Sequence, residues 1–490
     1  MNGVRRALAF SLLERYLLLV VGLASNMAIA RLLTPELIGI FSVSLAFIGI
    51  AQVLRDFGVA NYLIQERELT DDHVRTAFGI LLALGLVVFV VLFAGAPWIA
   101  RAYGEEQMVL TLRVCAFNFL VLPFCTVSLA LLRRQMAFKR LAVVNIAATC
   151  ISSAVSVGMA FMGFGVLALA LGSVLLNVVT GIGAWLARED RRVLLPSLKE
   201  WRVVLNFGAQ SSAAGVVTSI SMDINDLAVG KVMGFEPVAM LSRAQGLMNL
   251  FHRDLMSAIR NVAYPAYAKA AREDQALEPI YLASVSNVTV IAWPFYGFVS
   301  LFALELLRLM FGSQWDAAAP LVPVFCLAGA AAATINLIAS LVLAVGRVDL
   351  ITKVELFFQP LRAAMIVAAA VIFQSMMACA VALVVAFVLH VPLMYYVKGR
   401  CLPNDHSALR RQLGLSLGVS LLSLVLPVML AMAGSATATG PRWLAFALAV
   451  PVCIGGWLVA LVVLKHPLAQ DPAFLAAQRK CLRLLRLRDR

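Results

Sequence analysis

Residues 28–42 read AIARLLTPELIGIFS, and residues 228–242 read AVGKVMGFEPVAMLS. At a shift of 200 residues the two stretches match in polar as well as apolar positions, namely Arg31 with Lys231, Glu36 with Glu236, and Ser42 with Ser242. Apolar matches alone arise easily by chance between membrane segments, whereas charged and serine positions in register do not. Each stretch joins two apolar runs. This pattern predicts a chain built from two copies of one helical unit, as in many membrane transporters.

The composition around these stretches is that of a membrane protein. Of the 490 residues, 62% are hydrophobic and 13% are charged, and the mean hydropathy is +0.92. A soluble domain carries about 25% charged residues. So few charges cannot cover a water-facing surface of this size, and the apolar side chains are expected to face lipid or other helices.

Apolar runs long enough to span a bilayer, about 20 residues each, recur along the whole chain. Because a spanning backbone must satisfy its own hydrogen bonds, they are predicted to be helices. Two long runs need a turn inside them, near residues 162–165 and 374–375. The runs lie near 10–30, 38–60, 78–100, 108–131, 142–162, 165–186, 204–230, 237–257, 284–307, 318–345, 351–373, 376–397, 412–433 and 442–464.

The basic residues alternate between the connecting segments. With the N-terminus placed in the cytoplasm, thirty of the 40 lysines and arginines fall in inside segments, five outside and five within spans. This is the pattern of the positive-inside rule. It predicts both termini in the cytoplasm and an even number of spans. The net charge of +14 is therefore an orientation signal, and nucleic acid is not expected as a partner.

The sequence thus predicts an all-α integral membrane protein of about fourteen transmembrane helices. Spans one to six and seven to twelve form two six-helix lobes in a pseudo-twofold arrangement, followed by two extra C-terminal helices. The expected divisions are 1–190 for the N-lobe, 191–400 for the C-lobe, 401–466 for spans thirteen and fourteen, and 467–490 for a basic cytoplasmic tail.

Several stretches resemble one family of transporters. The run ARLLTPELIGIFSVSLAFIGIAQVLRDFGVANYLIQE (30–66) is similar to the opening of bacterial polysaccharide-export flippases, and DINDLAVGKVMGFEPVAMLSRAQGLMNL (223–250) resembles the start of their second lobe. FGSQWDAAAPLVPV (311–324) and residues 344–347 fit the same family. Its parent group is the multidrug/oligosaccharidyl-lipid/polysaccharide exporter superfamily, and the branch is that of lipopolysaccharide, capsule and exopolysaccharide translocases.

The resemblance implies a bacterial inner-membrane flippase with a cavity between two lobes. Its substrate would be a polyprenyl-diphosphate-linked oligosaccharide, carried across by alternating access for lipopolysaccharide, capsule or exopolysaccharide biosynthesis. Membrane lipids and a polysaccharide polymerase or export machinery are the implied partners. A drug or cation antiporter of the same superfamily is the alternative. It would need a compact acidic pocket instead of cavity arginines.

Charged side chains within spans are the candidate site residues, because such charges are expensive and usually face a cavity or a partner. Arg243, alone in span eight, is the first candidate to bind the diphosphate, with Arg15 and Arg113 next. Arginine offers an oxyanion a bidentate, permanently charged fork. The alternative for such arginines is an intramembrane salt bridge, for instance of Glu14 or Glu355 with Arg15 or Arg362.

Two aspartates of span seven, Asp223 and Asp226, are candidate binders of a coupling proton or cation. Their alternative role is capping or pairing at the outer end, for instance with Lys231. The adjacent Arg55 and Asp56 are expected to be structural. His252-Arg253-Asp254 imitates a kinase catalytic loop, but its asparagine is out of register. This segment is interpreted as a basic amphipathic one that ends at Pro265.

An enzyme is not expected. The outside segments are short, and we find no acid–histidine pair and no nucleotide-binding motif. The eight cysteines contain no CxxC pair, so neither a metal site nor a disulfide framework is predicted, and no cofactor is expected.

Overall fold

The computed structural model describes residues 2–56, 58–66, 68–190, 195–435, 442–470 and 474, with side chains at all of these except 2–13, 54, 203–215 and 434–435. Within these ranges the chain is helical and no strand occurs. Twelve helices are long and apolar enough to cross a bilayer. The all-α multi-pass architecture predicted from the sequence is confirmed.

Contacts divide the chain into two compact units, which we call the first unit (residues 1–239 with 370–374) and the second unit (240–369 with 375–490). The first unit contains nine helices of the described chain: α1 Asn2–Leu32, α2 Pro35–Asp56, α3 Val59–Gln65, α4 Asp71–Tyr103, α5 Gln107–Ala116, α6 Asn118–Arg134, α7 Phe138–Phe161, α8 Val166–Ala187 and α9 Trp201–Met233.

The second unit is helical in the same way. Its helices are α10 Phe235–Asn249, whose first turn clusters with the first unit, α11 Met256–Arg272, α12 Leu277–Leu301, α13 Ala303–Met310, α14 Val322–Ala333, α15 Ile338–Ala344, α16 Val348–Phe373, α17 Met376–Gly399, α18 His406–Ser435 and α19 Trp443–Val463. A π-helical segment, Leu250–Leu255, joins α10 to α11, and a 3-10 helix, Ser313–Leu321, precedes α14.

All fourteen apolar runs fall on helices. Those expected as spans seven and eight correspond to α9 and to the continuous helix 235–272, which are not among the twelve candidates selected by length and composition. At 33 residues, α9 measures about 50 Å and is long enough to span. The count of about fourteen is therefore approximate.

Helix breaks lie where the sequence places them. α7 and α8 are separated by a turn in which Gly163 (φ 86°) and Gly165 (φ 57°) adopt left-handed conformations that only glycine enters readily. α16 and α17 are separated at residues 374–375. At the repeated stretches, α2 begins at Pro35 and α10 begins at Phe235, so the helix–turn–helix junctions keep the 200-residue register of the repeat.

The helix after the eighth run differs from the prediction. The segment expected to end at Pro265 continues as α11 to Arg272, with Pro265 inside the helix. A proline removes one backbone hydrogen bond, which bends a helix without necessarily ending it. In the first unit the chain instead turns at Gly58 (φ 64°) between α2 and α3, whereas position 258 is an alanine inside α11.

Packing sets the extent of each unit. In the first unit α9 packs on α2, and α4 packs on α5 and α6. In the second unit α12 packs against α14 and α18, and α18 packs against α19. The sequence-based division at residues 190 and 400 follows the internal repeat rather than the packing of helices. It remains a prediction that one six-helix unit is duplicated.

Candidate functional site: charges within the helices

Arg243 lies on α10 and is held by aromatic side chains of its own unit. Its guanidinium carbon is 5.1 Å from the ring centroid of Phe311 and 5.1 Å from that of Trp315. Both aromatic residues are buried, with Trp315 fully so. Cation–π contacts of this kind use the faces of the guanidinium plane. Together the two rings fix the orientation of the Arg243 guanidinium plane.

The sequence motif at 311–324 builds this aromatic clamp. Gly312 adopts φ 101°, which lets the chain turn from α13 into the 3-10 helix that carries Trp315. Asp316 then accepts two hydrogen bonds from Arg308, from Nε at 2.8 Å and from Nη2 at 2.6 Å. This bidentate pair raises the pKa of Arg308 above its ordinary value. It also fixes the turn at Gly312 that precedes Trp315.

Arg113 and Arg15 lie on separate helices of the first unit. Arg113, on α5, is half-buried; its guanidinium carbon lies 4.9 Å from the Phe93 ring centroid, and its Nε donates to the Phe93 carbonyl at 3.4 Å. Arg15, on α1, is exposed. Its neighbour Glu14 accepts a hydrogen bond from Asn145 of α7 at 2.8 Å.

Asp223 and Asp226 share one face of α9, three residues apart, and Asp226 lies within electrostatic range of Asp223. The Asp223 carboxylate points at Gly49 of α2: a Cβ placed on that glycine would lie 2.5 Å from Oδ2. The glycine therefore makes room for the carboxylate between the two helices. The side chains of Gln210, Ser211 and Ser212, earlier on the same helix, lie outside the described residues.

Lys231 offers these aspartates no ion pair in the described structure. Its Nζ donates to the carbonyl of Ala102 at the end of α4 and lies over the Tyr103 ring. The Tyr103 hydroxyl donates in turn to the Leu227 carbonyl at 3.0 Å. The suggested pairing of the aspartates with Lys231 is therefore wrong, because the lysine caps the neighbouring helix.

Arg55 and Asp56 contact each other directly at the end of α2. Arg55 is 1% exposed, whereas Asp56 is 45% exposed. Two further nitrogens of Arg55, Nε and Nη1, have no hydrogen-bond partner within the described part of the chain. The pair ends α2 just before the turn at Gly58, consistent with a structural role.

The suggested bridge between Glu355 and Arg362 is not formed among the described residues. The two lie seven residues apart on α16, about two helical turns. Glu355 instead accepts a hydrogen bond from Gln359, one turn away, at 2.6 Å. Side chains four residues apart meet on a helix surface, so the glutamine is the nearer partner.

Sequence reasoning did not connect a group of polar residues within the second unit, although it named His252 and Arg362 singly. They are His252 of the π-helical segment, Asn336 between α14 and α15, Gln359 and Arg362 of α16, and His390 of α17. Single histidines in apolar runs carry little signal. The helical spacing of Glu355, Gln359 and Arg362, at i, i+4 and i+7, is the pattern that marks one polar face.

Comparison with known proteins identifies relatives. The family described as polysaccharide biosynthesis protein matches residues 28–320. The teichuronic acid biosynthesis protein TuaB of Bacillus subtilis (strain 168) is 25% identical over 303 residues, 61% of this chain and 62% of TuaB. The lipopolysaccharide biosynthesis protein WzxC of Escherichia coli (strain K12) is 24% identical over 350 residues, 71% of each chain. The matched region thus spans under two thirds of TuaB.

A solved structure shares the fold. The lipid II flippase MurJ, in an inward closed conformation, superposes with a TM-score of 0.74 at 11% identity, covering 94% of this chain and 99% of MurJ. At this identity the similarity establishes the architecture, that of a multi-pass helical membrane protein. The roles of individual residues have to come from their geometry in this chain.

Proposed function

Because this chain belongs to the polysaccharide biosynthesis protein family, we propose that it is a flippase. It translocates a polyprenyl-diphosphate-linked oligosaccharide repeat unit across the bacterial inner membrane for surface polysaccharide biosynthesis. The carrying observation is Arg243, a cation on a helix of the membrane domain whose guanidinium is held against Phe311 and Trp315. TuaB and WzxC, to which the chain is similar, are named for the biosynthesis of teichuronic acid and of lipopolysaccharide.

Arg243 binds the diphosphate in this proposal. A diphosphate must leave water to cross the membrane, and an arginine compensates its charge while donating to two oxygens at once. Aromatic faces on Arg243 fix the guanidinium plane beforehand, so less rotamer entropy is lost on binding. Arg113 and Arg15 are secondary contacts. Arg113 is similarly oriented by the Phe93 ring.

Translocation proceeds by alternating access, with the glycan passing through a polar path and the polyprenyl tail remaining in lipid. Asp223 and Asp226 bind the coupling proton or cation. Their support is the room that Gly49 leaves for the Asp223 carboxylate and the electrostatic coupling of the two acids. Transport that survives the double change Asp223→Asn with Asp226→Asn would remove this role.

The orientation in the membrane and the partners follow from the same function. Both termini lie in the cytoplasm, which the distribution of basic residues favours. Membrane lipids surround the helices, and a polysaccharide polymerase uses the delivered repeat unit. The chain transports its substrate and does not transform it.

A deletion strain tests the function. Without the protein, surface polysaccharide is expected to disappear and the lipid-linked repeat unit to accumulate on the inner leaflet. Complementation with Arg243→Ala is expected to fail, whereas Arg243→Lys restores part of the activity because the charge is kept and the bidentate fork is lost. Arg253→Ala, a change at an arginine that is 73% exposed, is the matched control and should restore fully.

Unchanged surface polymer together with increased drug sensitivity in the deletion strain would replace the flippase by a drug antiporter of the same architecture. Full restoration by Arg243→Ala would leave the flippase and remove Arg243 from its site.

A further inference from the structure

Helix irregularities meet inside the second unit. The helix 235–272 passes through a π-helical turn at Leu250–Leu255, and the tenth apolar run is broken between α14 and α15 at residues 334–337. π-helical turns and broken membrane helices are frequent at functional sites because they direct polar groups inward. Here they bring His252 and Asn336 together, with Asn336 Nδ2 3.5 Å from His252 Nδ1.

His252 lies near two arginines of its unit. Its ring packs edge-on against Phe387 of α17, with centroids 5.6 Å apart. It lies within electrostatic range of both Arg260 of α11 and Arg362 of α16. Two arginines therefore act on the partly buried imidazole of His252, one from α11 and one from α16.

Arg362 forms no direct ion pair with Glu355, although the two charges interact along α16. The Glu355 carboxylate accepts from Gln359, and no ion pair of Arg362 occurs in the described part of the chain. Its Nε is buried without a hydrogen-bond partner among the described residues. An arginine in the middle of a membrane helix is energetically unfavourable unless it serves a partner or a ligand.

His390 completes the group from α17. Its ring stacks on Phe358, with centroids 3.8 Å apart and an interplanar angle of 10°. Phe358 and Arg362 are one turn apart on α16, so His390 and Arg362 lie on the same side of that helix. His390 is 9% exposed, and its Nε2 is buried without a hydrogen-bond partner among the described residues.

The chemistry of the group is that of an anion site. Arg362, Arg260, His252, His390 and the Asn336 amide supply hydrogen-bond donors, whereas Glu355 is the carboxylate that acts on Arg362 and is already bonded. Donors from helix 235–272, α16, α17 and the break at residues 334–337 suit a ligand with several oxygens, and arginine and imidazole both donate readily to phosphate. A carboxylate would engage fewer of them.

We propose that Arg362, with His252, Asn336 and His390, forms an oxyanion site within the second unit that takes a phosphate or diphosphate group. This inference rests on the proposed function in one respect: with both termini cytoplasmic, α16 begins at the inner surface, and Arg362 lies about 20 Å along it. The site is then within reach of a head group that enters from the inner leaflet, in addition to Arg243.

Ligand binding to the purified full-length protein in detergent tests the site. The probes are undecaprenyl diphosphate, undecaprenol as the uncharged lipid, and inorganic pyrophosphate as the free anion. Wild type is expected to bind undecaprenyl diphosphate and to discriminate against undecaprenol. Arg362→Gln should weaken the diphosphate at least about tenfold, as expected for the loss of a charge-assisted hydrogen bond. Arg253→Gln, on the same π-helical segment but exposed, should bind as wild type does.

Two further variants distinguish a loss of binding from misfolding of the protein. Arg362→Lys keeps the charge and should bind with intermediate affinity, while His390→Phe keeps the stacking on Phe358 and should weaken binding about threefold or more. Each is compared at matched size-exclusion profiles. Competition by pyrophosphate would identify a site that is open to free anions. If pyrophosphate does not compete, the site is specific to the lipid head group. Both outcomes support the oxyanion chemistry.

Equal binding by wild type and Arg362→Gln, or equal affinity for undecaprenol and undecaprenyl diphosphate, would overturn the site. The proposed function is tested separately by the deletion strain. Accumulation of the lipid-linked repeat unit there, combined with unchanged binding in Arg362→Gln, would leave the flippase standing and remove only this site.

Discussion

Arg442 and Glu305 form a buried ion pair that joins the start of α19 to α13. The backbone N–H of Arg442 donates to Glu305 Oε1 at 2.9 Å, and its Nε donates to the same oxygen at 3.1 Å. Two other guanidinium nitrogens donate to the carbonyls of Ala431 and Leu301. The glutamate is fully buried and the arginine 23% exposed. One side chain thus holds the two additional C-terminal helices, α18 and α19, to α12 and α13.

Removal of this carboxylate should destabilise the second unit. Glu305→Ala is expected to lower the free energy of unfolding by about 2–4 kcal/mol, because it leaves a largely buried arginine without its counter-ion. Thermal unfolding in detergent measures the effect. Asp349→Ala is the control, since it removes the partner of Arg347 in a pair that is about half exposed, and it should change stability much less because water screens an exposed pair. Equal effects of the two changes would contradict the bracing role of Glu305.

Because His466 is buried, we expect the stability of the protein to depend on pH. Its fully buried ring follows α19 and lies between α12 and α18: Nε2 is 3.0 Å from Ser286 Oγ and 3.3 Å from Ser416 Oγ, while Nδ1 accepts from the Leu468 N–H at 3.2 Å. Burial lowers the pKa of His466 to about 4. An unfolded histidine titrates near pH 6.5, so between about pH 6.5 and 4 the unfolded chain binds a proton that the folded chain does not.

Acidification through this window should therefore lower the free energy of unfolding, and the contribution of His466 should be fully present above about pH 6.5. Melting temperatures at pH 7.5 and pH 5 measure it. His466→Gln cannot titrate, and its loss of stability on acidification should be smaller than that of wild type. His406→Gln, at an exposed position, should keep the wild-type dependence. An unaltered pH dependence in His466→Gln would refute the prediction.

The sequence predicts helices better than it predicts partners. Hydropathy and length locate the apolar runs because a spanning helix must be long and apolar, and glycines such as Gly163 and Gly165 locate turns because of their backbone freedom. The partners of charged residues are set by tertiary packing. Nothing local indicates that Arg243 meets aromatic rings about seventy positions later, or that Lys231 caps α4. The alternative bridge of Glu355 with Arg362 is not formed for a local reason, namely that Gln359 lies one turn closer to Glu355.

Because aromatic rings hold Arg243, we expect that removal of one ring impairs transport although no charge is lost. Phe311→Leu removes one cation–π contact of about 1 kcal/mol and keeps an apolar side chain of similar volume. Flipping of the lipid-linked repeat unit is expected to slow roughly three- to tenfold, measured in complemented deletion cells at matched protein levels. Phe298→Leu is the control, because Phe298 packs on Phe302 and Phe446. Similar rates for both variants would show that the aromatic contact does not orient Arg243.

The contact of Gly49 with Asp223 leads us to expect that one added methyl group, in Gly49→Ala, disturbs the Asp223 carboxylate. A Cβ at Gly49 would lie 2.5 Å from Asp223 Oδ2, whereas a Cβ at Gly95 of α4 meets nothing within 4 Å. Both glycines are inside helices, where alanine is intrinsically favoured by about 1 kcal/mol. Gly95→Ala should therefore be neutral or slightly stabilising and transport normally. Gly49→Ala has to displace the carboxylate, and we expect it to slow transport severalfold while the protein level is unchanged. If the two variants transport equally well, the position of the Asp223 carboxylate against α2 does not matter for coupling. If Gly49→Ala slows transport and Asp223→Asn with Gly49→Ala is no slower than Asp223→Asn alone, the methyl group acts through this aspartate.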